Sequence, residues 1–358
     1  MQHIEAIRQQ ILDAAKLQRP LRIRGGGSKD WYGGALARDI LDTRQLTGII
    51  DYEPTELVIT ARSGTPLAEI EAALAEKNQM LAFEPPHFGA GATLGGVIGA
   101  GLAGPRRAAS GGVRDFVLGA VLMDGRGEVL SFGGQVMKNV AGYDVTRLLA
   151  GAMGSLGVTL QHSVKVLPRP VCEVTVRCAM SEIDAIAKLN QWGGQPLPLS
   201  ASCWHEGSLT LRLSGAGAAV DAALRVFGGD LLDAPDADAF WAALREQQHG
   251  FFTRPGHLWR LSVPSVTGAL ILDGEQLIEW GGAQRWLKVA GPVDAARASA
   301  IRATVKAAGG HATLFRKADG EGLDVAVFEP LAPAIARIHD RLKQAFDPAT
   351  IFNPGRLF

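Results

Sequence analysis

Arg24-Gly25-Gly26-Gly27-Ser28-Lys29 sets three glycines and a hydroxyl between two cations. Without Cβ atoms, successive backbone N–H groups can converge on an anion, and Ser28 and Lys29 add a hydroxyl donor and a positive charge. Alone, the segment reads equally as a flexible turn. A denser run follows Pro85-Pro86, where nine of the chain's 44 glycines fall in the 24 residues from Gly89 to Gly112. It contains Thr93-Leu94-Gly95-Gly96, Gly99, Gly101, Gly104-Pro105 and Ser110-Gly111-Gly112. So few side chains build little core. The run reads as backbone wrapped against a ligand or as a small-residue helix packed closely on a neighbour. A helix N-terminus near Thr93 suits both readings and favours an anion.

Two further segments join these. One is Arg114-Asp115. The other is Asn139 to Val158, with Gly142-Tyr143-Asp144 and Gly154-Ser155-Leu156-Gly157-Val158. The P-loop spacing G-x-x-x-x-G-K-[ST] is absent. No G-x-G-x-x-G is placed to open a helix with an acidic residue on a strand about 20 positions later. Both facts weigh against ATP and NAD.

These segments need elements to hold them. Leu21 to Arg24 is a short strand running into the first glycines. Leu57 to Ala61 reads as a buried strand, followed by Thr65 as N-cap and Pro66 as first residue of a helix with the apolar stripe Leu67, Ile70, Leu74. Phe116 to Met123 and Glu128 to Phe132 flank Asp124-Gly125-Arg126-Gly127 as a hairpin. Val158 to Leu167 is a strand closed by Pro168 and Pro170. Beyond Pro170 the glycines thin. The order becomes strand (171–179), helix (182–192), a hairpin at Glu206-Gly207, then helix (220–227), which predicts an antiparallel sheet with helices on one face. A similar stretch runs from Leu258 to Phe315 and includes a helix over 295–308.

Composition limits the rest. The chain has 358 residues, 36 basic against 36 acidic, and 47% hydrophobic. That suits packed domains and gives no electrostatic case for nucleic acid. No apolar run is long enough to span a membrane, and residues 1–16 repeat Ile4, Ile7 and Ile11 at helical spacing, unlike a signal peptide. A cytoplasmic location is expected. Cys172, Cys178 and Cys203 are irregularly spaced, against a disulfide framework, a zinc site or an iron–sulfur cluster, so no metal is expected.

The blocks Arg24 to Ser28, Ala92-Thr93-Leu94-Gly95-Gly96, Asp115-Phe116-Val117-Leu118-Gly119, Gly154 to Val158 and Asp347-Pro348 to Asn353-Pro354-Gly355 together resemble the FAD-binding domain of the vanillyl-alcohol oxidase and p-cresol methylhydroxylase superfamily. Within it, Glu84 to Gly112, Lys138 to Val158 and Gly309 to Arg316 look most like the FAD-binding E subunits of bacterial glycolate oxidases. The resemblance implies an α+β chain. A two-subdomain FAD-binding domain (1–168) is followed by a ferredoxin-like antiparallel cap domain (169–335) and a segment (336–358) returning to the FAD domain.

It also implies roles. Arg24, Gly25, Gly26, Gly27, Ser28 and Lys29 are expected at the pyrophosphate. Pro86, Thr93, Leu94, Gly95 and Gly96 continue that wall, with Gly101, Gly104 and Pro105 nearby. Gly111, Arg114 and Asp115 fall along the ribityl or adenosine side, and Gly157 and Val158 touch the cofactor through their backbone. The first loop has no histidine for covalent attachment, so FAD is expected to be non-covalent.

The implied activity is FAD-dependent oxidation of a CH–OH group, glycolate to glyoxylate. The implied partners are a sister flavoprotein subunit and an iron–sulfur subunit, with peripheral attachment to the inner membrane through them. Such chemistry needs a base and a cation for the carboxylate. Among His249, His257, His311, Arg245, Arg254, Arg260, Arg285 and Arg316, the candidates singled out are His257, Arg285 and His311, each equally readable as a structural residue. The His-x-Gly-Asp-Gly-Asn-x-His type motif of sister flavoproteins is absent. Two alternatives therefore stand beside a subunit role: a self-sufficient 2-hydroxy-acid dehydrogenase, and a non-catalytic assembly subunit.

Overall fold

A computed structural model gives the architecture and describes residues 2–134, 145–318 and 325–357. The chain forms two compact units. One comprises Met1–Ala103, Gly111–Arg169 and Pro330–Phe358; the other comprises Gly104–Ser110 and Pro170–Glu329. The division near 170 coincides with the drop in glycine density. The excursion Gly104–Ser110 into the second unit has no compositional signal, and the chain rejoins the first unit from Pro330 rather than from 336.

In the first unit, five antiparallel strands lie in the order Ile49–Glu53, Val58–Arg62, Val158–Lys165, Val117–Met123, Val129–Gly133. The hairpin expected around residues 124–127 is present. Helix Leu67–Glu76 buries its stripe Leu67, Ile70 and Leu74 in a core shared with Ile59, Phe83, Phe116 and Val164. Pro66, not Thr65, is its N-cap, and no side chain caps it. The Thr65 hydroxyl is engaged elsewhere, accepting from Gly48 N at 3.0 Å.

A smaller layer pairs Leu21–Arg24 in parallel with Asp39–Asp42. Ile7, Ile11 and Ala14 of helix Gln2–Leu17 pack there with Leu21, Leu41 and Phe352. Leu21 exchanges backbone hydrogen bonds with residues 351–353: Leu21 N to Ile351 O at 2.7 Å and Asn353 N to Leu21 O at 2.9 Å. Buried Lys343 anchors that segment by donating to Asp347 Oδ2, Ser155 O and Phe352 O, each at 2.7 Å.

The second unit is one eight-stranded sheet, antiparallel throughout, in the order Asp230–Leu232, Cys172–Ala179, Ser208–Gly215, Leu199–His205, Glu275–Glu279, Gln284–Val289, His257–Ser262, His311–Arg316. The strand and helix order expected for residues 171–227 is realised. Its hairpin turns at Glu206 (φ 47°) and Gly207 (φ 75°), two left-handed residues as a tight two-residue hairpin requires.

Helices Glu182–Gly193 and Gly217–Phe227 pack Leu189, Trp192, Val220 and Phe227 onto Val176, Leu209, Leu211 and Leu213. Helix Ala295–Ala307 does the same for Trp259, Leu261, Leu287 and Leu314. The alternating residues of those strands form a second, more polar face. It is partly covered by helices Ala234–Arg245 and Gly250–Thr253, with Trp241 Nε1 donating to Thr175 Oγ1 at 2.9 Å and Lys288 Nζ to Phe252 O at 3.0 Å.

Candidate cofactor cleft

A cleft of about 1010 Å³ opens in the first unit, where the end of strand Leu21–Arg24 meets helix Leu94–Ala100 and residues 149–159. Arg24, Gly25, Gly26, Gly27, Ser28, Lys29, Thr93, Gly95, Gly96 and Gly157 all line it.

The glycines divide into two kinds. A Cβ on Gly26 would lie 1.4 Å from Gly91 O, and one on Gly25 would lie 2.4 Å from Thr93 Oγ1. These glycines let the first loop lie directly on the second. Gly27 has φ +75°, which favours glycine. Gly95 presses on Ser63, its N–H donating to Ser63 O at 2.7 Å. Gly96 and Gly99 differ. They border the cleft, yet a Cβ on Gly96 would meet only the Thr93 hydroxyl, at 3.2 Å, and one on Gly99 would meet nothing within 4 Å. The protein has no packing reason of its own for Gly99, so the empty volume beside it is a cradle that a Cβ would fill, whereas a Cβ on Gly96 would press on the capping hydroxyl of Thr93.

Thr93 caps the helix, its hydroxyl accepting from Gly96 N at 3.3 Å, and Gly101 ends it in the left-handed region. Gly99, Gly101 and Gly104 do carry the G-x-G-x-x-G spacing. They close this helix rather than open one, which is not the dinucleotide arrangement.

Charge is concentrated on one side. The lining includes Arg22, Arg24, Lys29 and Arg356 against a single carboxylate, Asp30. Arg24 Nε donates to Asp30 Oδ2 at 2.8 Å and Arg22 pairs with the same oxygen. The buried Nε of Arg22 has no partner. Arg356 spends its guanidinium on the carbonyls of Gly34 (2.9 Å), Asp30 (2.9 Å) and Lys29 (3.1 Å), and burial pulls its pKa below the usual arginine range. Asn353 ties the other wall, accepting from Ile23 N at 3.0 Å and donating to Met153 O at 2.5 Å. Ile23, Leu36, Leu149, Met153 and Leu156 supply apolar lining. A net positive, glycine-walled end beside apolar side chains suits a cofactor with a pyrophosphate and flat rings. Neither histidine nor cysteine is among the lining residues.

The remaining expected cofactor residues do not line the cleft. Pro86 is buried. Leu94 and Val158 point into the core, because each neighbours a cleft residue on an element whose opposite side is packed. A Cβ on Gly101 would strike Gly151. Gly104 and Pro105 belong to the second unit, where Gly104 O accepts from Trp280 Nε1 at 3.1 Å. Asp115 accepts from Gly112 N at 2.9 Å and holds the turn that contains Gly111 and Arg114. Gly142, Tyr143 and Asp144 lie outside the described residues. Gly99, Met153, Asn353 and Arg356 line the cleft without having been assigned to it. The glycine density and the Asn353-Pro354-Gly355 block were the available signals.

The catalytic candidates are not brought together. His257 is fully buried and its Nδ1 accepts from Ala318 N at 3.1 Å. Arg285, also fully buried, donates to Gly282 O (3.2 Å), Gly268 O (2.7 Å) and Thr267 O, a brace for the 267–268 loop. His311 is exposed and pairs with Ser262, at the opposite end of the strand that His257 begins. Among the described residues one group, His205, Glu206 and Glu275, has metal-ligand spacing, but Arg254 already donates to both carboxylates.

Comparison with known proteins follows the same division. Residues 1–133 match the family model described as FAD binding domain. The chain is 48% identical over 354 residues to the glycolate oxidase subunit GlcE of Escherichia coli (strain K12), covering 99% of this chain and 97% of that protein. It is 29% identical over 172 residues to the glycolate oxidase subunit GlcD of Bacillus subtilis (strain 168), and 33% identical over 156 residues to a D-lactate dehydrogenase of Archaeoglobus fulgidus. These two matches span only 36% and 34% of those proteins. Among solved structures, alkyldihydroxyacetonephosphate synthase superposes with a TM-score of 0.66 at 13% identity, over 99% of this chain and 76% of that one, a likeness of fold.

Proposed function

The chain belongs to the family of GlcE-type glycolate oxidase subunits, FAD-binding oxidoreductases, and from that premise we propose that it is the non-covalent FAD-binding subunit of an oxidase converting glycolate, a 2-hydroxy acid, to glyoxylate. The observation that carries the reading is the open glycine Gly99 on the wall of a basic cleft. When bound, FAD supplies the redox step, accepting a hydride from the carbon that bears the hydroxyl. The chain's part is to hold it. On this reading the loop Arg24 to Lys29, with Arg22, Thr93 and Gly96, takes the pyrophosphate. Gly99, Met153, Leu156 and Gly157 flank the rings. Gly101, Gly111 and Asp115 act one step away by shaping the loops.

Relatives named as subunits GlcE and GlcD indicate a multi-subunit oxidase. We place a sister flavoprotein and an iron–sulfur subunit beside this chain as electron acceptors, since its free cysteines Cys172, Cys178 and Cys203 are too few to ligate a cluster. Among the described residues no helix is long and apolar enough to cross a membrane. We propose a cytoplasmic location, with any membrane attachment made through the partners.

The test is the absorbance spectrum of the purified chain after incubation with FAD, before and after acid precipitation, then with glycolate added anaerobically. Flavin that co-purifies, leaves with the acid supernatant and bleaches with glycolate is expected. A chain that takes up no flavin refutes the reading. A second reading, relay of electrons without substrate oxidation, is favoured by the burial of His257 and Arg285 on backbone partners. It predicts bound flavin that glycolate does not bleach.

A further inference from the structure

We infer that the second unit carries a binding site for a small carboxylate, with Arg260 as its fork, Trp280 as its platform and Arg107 as a second cation. The inference rests on the reading of the chain as a partner in 2-hydroxy-acid oxidation, and it names the residues that would take the acid group.

Arg260 lies on strand His257–Ser262, between Trp259 and Leu261, which pack into the core beneath helix Ala295–Ala307. Its side chain therefore projects from the opposite face of the sheet. There it is clamped twice. Nε donates to Gln284 Oε1 at 2.8 Å, and the guanidinium carbon lies 5.3 Å from the centroid of the Trp280 indole. Gln284 cannot turn its amide about, because its Nε2 donates to Glu279 Oε2 at 3.2 Å. That carboxylate oxygen also takes the Trp286 indole N–H at 2.6 Å. Trp280 is itself fixed, buried and donating from Nε1 to Gly104 O at 3.1 Å.

What remains is the outer edge of the guanidinium. Among the described residues neither Nη1 nor Nη2 of Arg260 has a hydrogen-bond partner and the group makes no ion pair. Other arginines of this unit are committed: Arg106 to Glu173, Arg254 to Glu206 and Glu275, Arg285 to three carbonyls, Arg316 to Gln247. The residue is half-buried, so its fork is open to a small molecule while its plane is held. A planar cation fixed at Nε and across its face, with both terminal nitrogens available, matches the two oxygens of a carboxylate. Arg107 places its guanidinium carbon 4.5 Å from the same indole centroid. Gln284 is a positioning residue. Arg260 would touch the ligand.

The experiment is equilibrium dialysis of the full chain, incubated with FAD, against isotope-labelled glycolate, with glycolamide as the uncharged competitor. Saturable binding is expected, weakened at least about 10-fold by Arg260→Gln, the loss of hydrogen bonds to a charged group. Arg260→Lys should retain part of it, Gln284→Leu should lie between, and glycolamide should not compete. Urea unfolding checks that each variant folds. Flavin absorbance of the same samples reports FAD binding separately, so failure of the flavin reading is distinguishable from failure of this site. No saturable glycolate binding to the unmodified chain would overturn the proposal. So would equal binding by folded Arg260→Gln, or full competition by glycolamide.

Discussion

Gly99→Ala separates a glycine kept for a ligand from one kept for the fold. The position lies within helix Leu94–Ala100, lines the cleft, and a Cβ there meets no protein atom within 4 Å. Replacing a helical glycine by alanine where space is open restricts the unfolded chain and should stabilise the cofactor-free protein by roughly 0.5–1 kcal/mol. The same methyl intrudes on whatever fills the cleft. Overpacking of a close interface costs about 1–3 kcal/mol, which is roughly a 5- to 150-fold rise in the Kd for FAD. Stability and affinity thus move in opposite directions. Gly26→Ala is the control. Its Cβ would lie 1.4 Å from Gly91 O, so the loop must move and both quantities should fall. Urea unfolding of the cofactor-free chain gives the first quantity, and FAD titration with ultrafiltration gives the second. A Gly99→Ala protein that binds FAD as tightly as the parent would refute the placement of the cradle. One that is destabilised would refute the claim of open space.

Other consequences can be tested alongside. His162 is fully buried with both ring nitrogens unpartnered, and burial holds its pKa down to about 3. Above about pH 6.5 it costs nothing by titration. Below that value only the unfolded chain takes the proton, so stability falls by about 1.4 kcal/mol per pH unit until the folded pKa is reached. His162→Leu should therefore flatten the loss between pH 6.5 and 4.5 by about 3 kcal/mol, and parallel urea-unfolding profiles for the two proteins would contradict this. Arg356→Ala leaves three carbonyls of residues 29–34 without their donor and should cost about 2–3 kcal/mol while speeding flavin release. Unchanged unfolding and release rates would count against the assigned clamp. Arg285→Met should destabilise the chain by about 3 kcal/mol with FAD uptake intact, whereas lost turnover at full stability would return Arg285 to a catalytic role.

Much of the cleft was legible in the sequence, because a glycine-rich stretch that builds little core stands out in composition. Arg24 to Lys29, Thr93, Gly95 and Gly96, expected at a cofactor, all line the cleft. Leu94 and Val158 turn their side chains into the core, since a motif read as a string does not distinguish the side chain facing the cleft from its neighbour facing the core. Thr65 was read as a cap because its type and the following proline fit, but its hydroxyl is held by Gly48. Arg356 and Asn353 act through contacts hundreds of residues away in the chain, which local patterning cannot show. In the second unit the elements of residues 171–227 were legible, whereas residues 257–316 run strand, strand, strand, helix, strand instead of repeating that order. The sequence did not predict which arginines would find acceptors, because that depends on strand pairing across the eight-stranded sheet.

The hydrogen bond from Ile23 N to Asn353 Oδ1 closes a loop of 330 residues. At roughly 5–20 residues per second of synthesis, strand Leu21–Arg24 waits on the order of 15–70 s for the residues that fix it. The sheet of the second unit is complete only once residue 316 has been made, and until residues 351–356 follow, the first glycine loop has neither its clamp at Arg356 nor its edge partner at Phe352. Capture of the cofactor is therefore a late event in the life of the chain, following translation of residues 351–356.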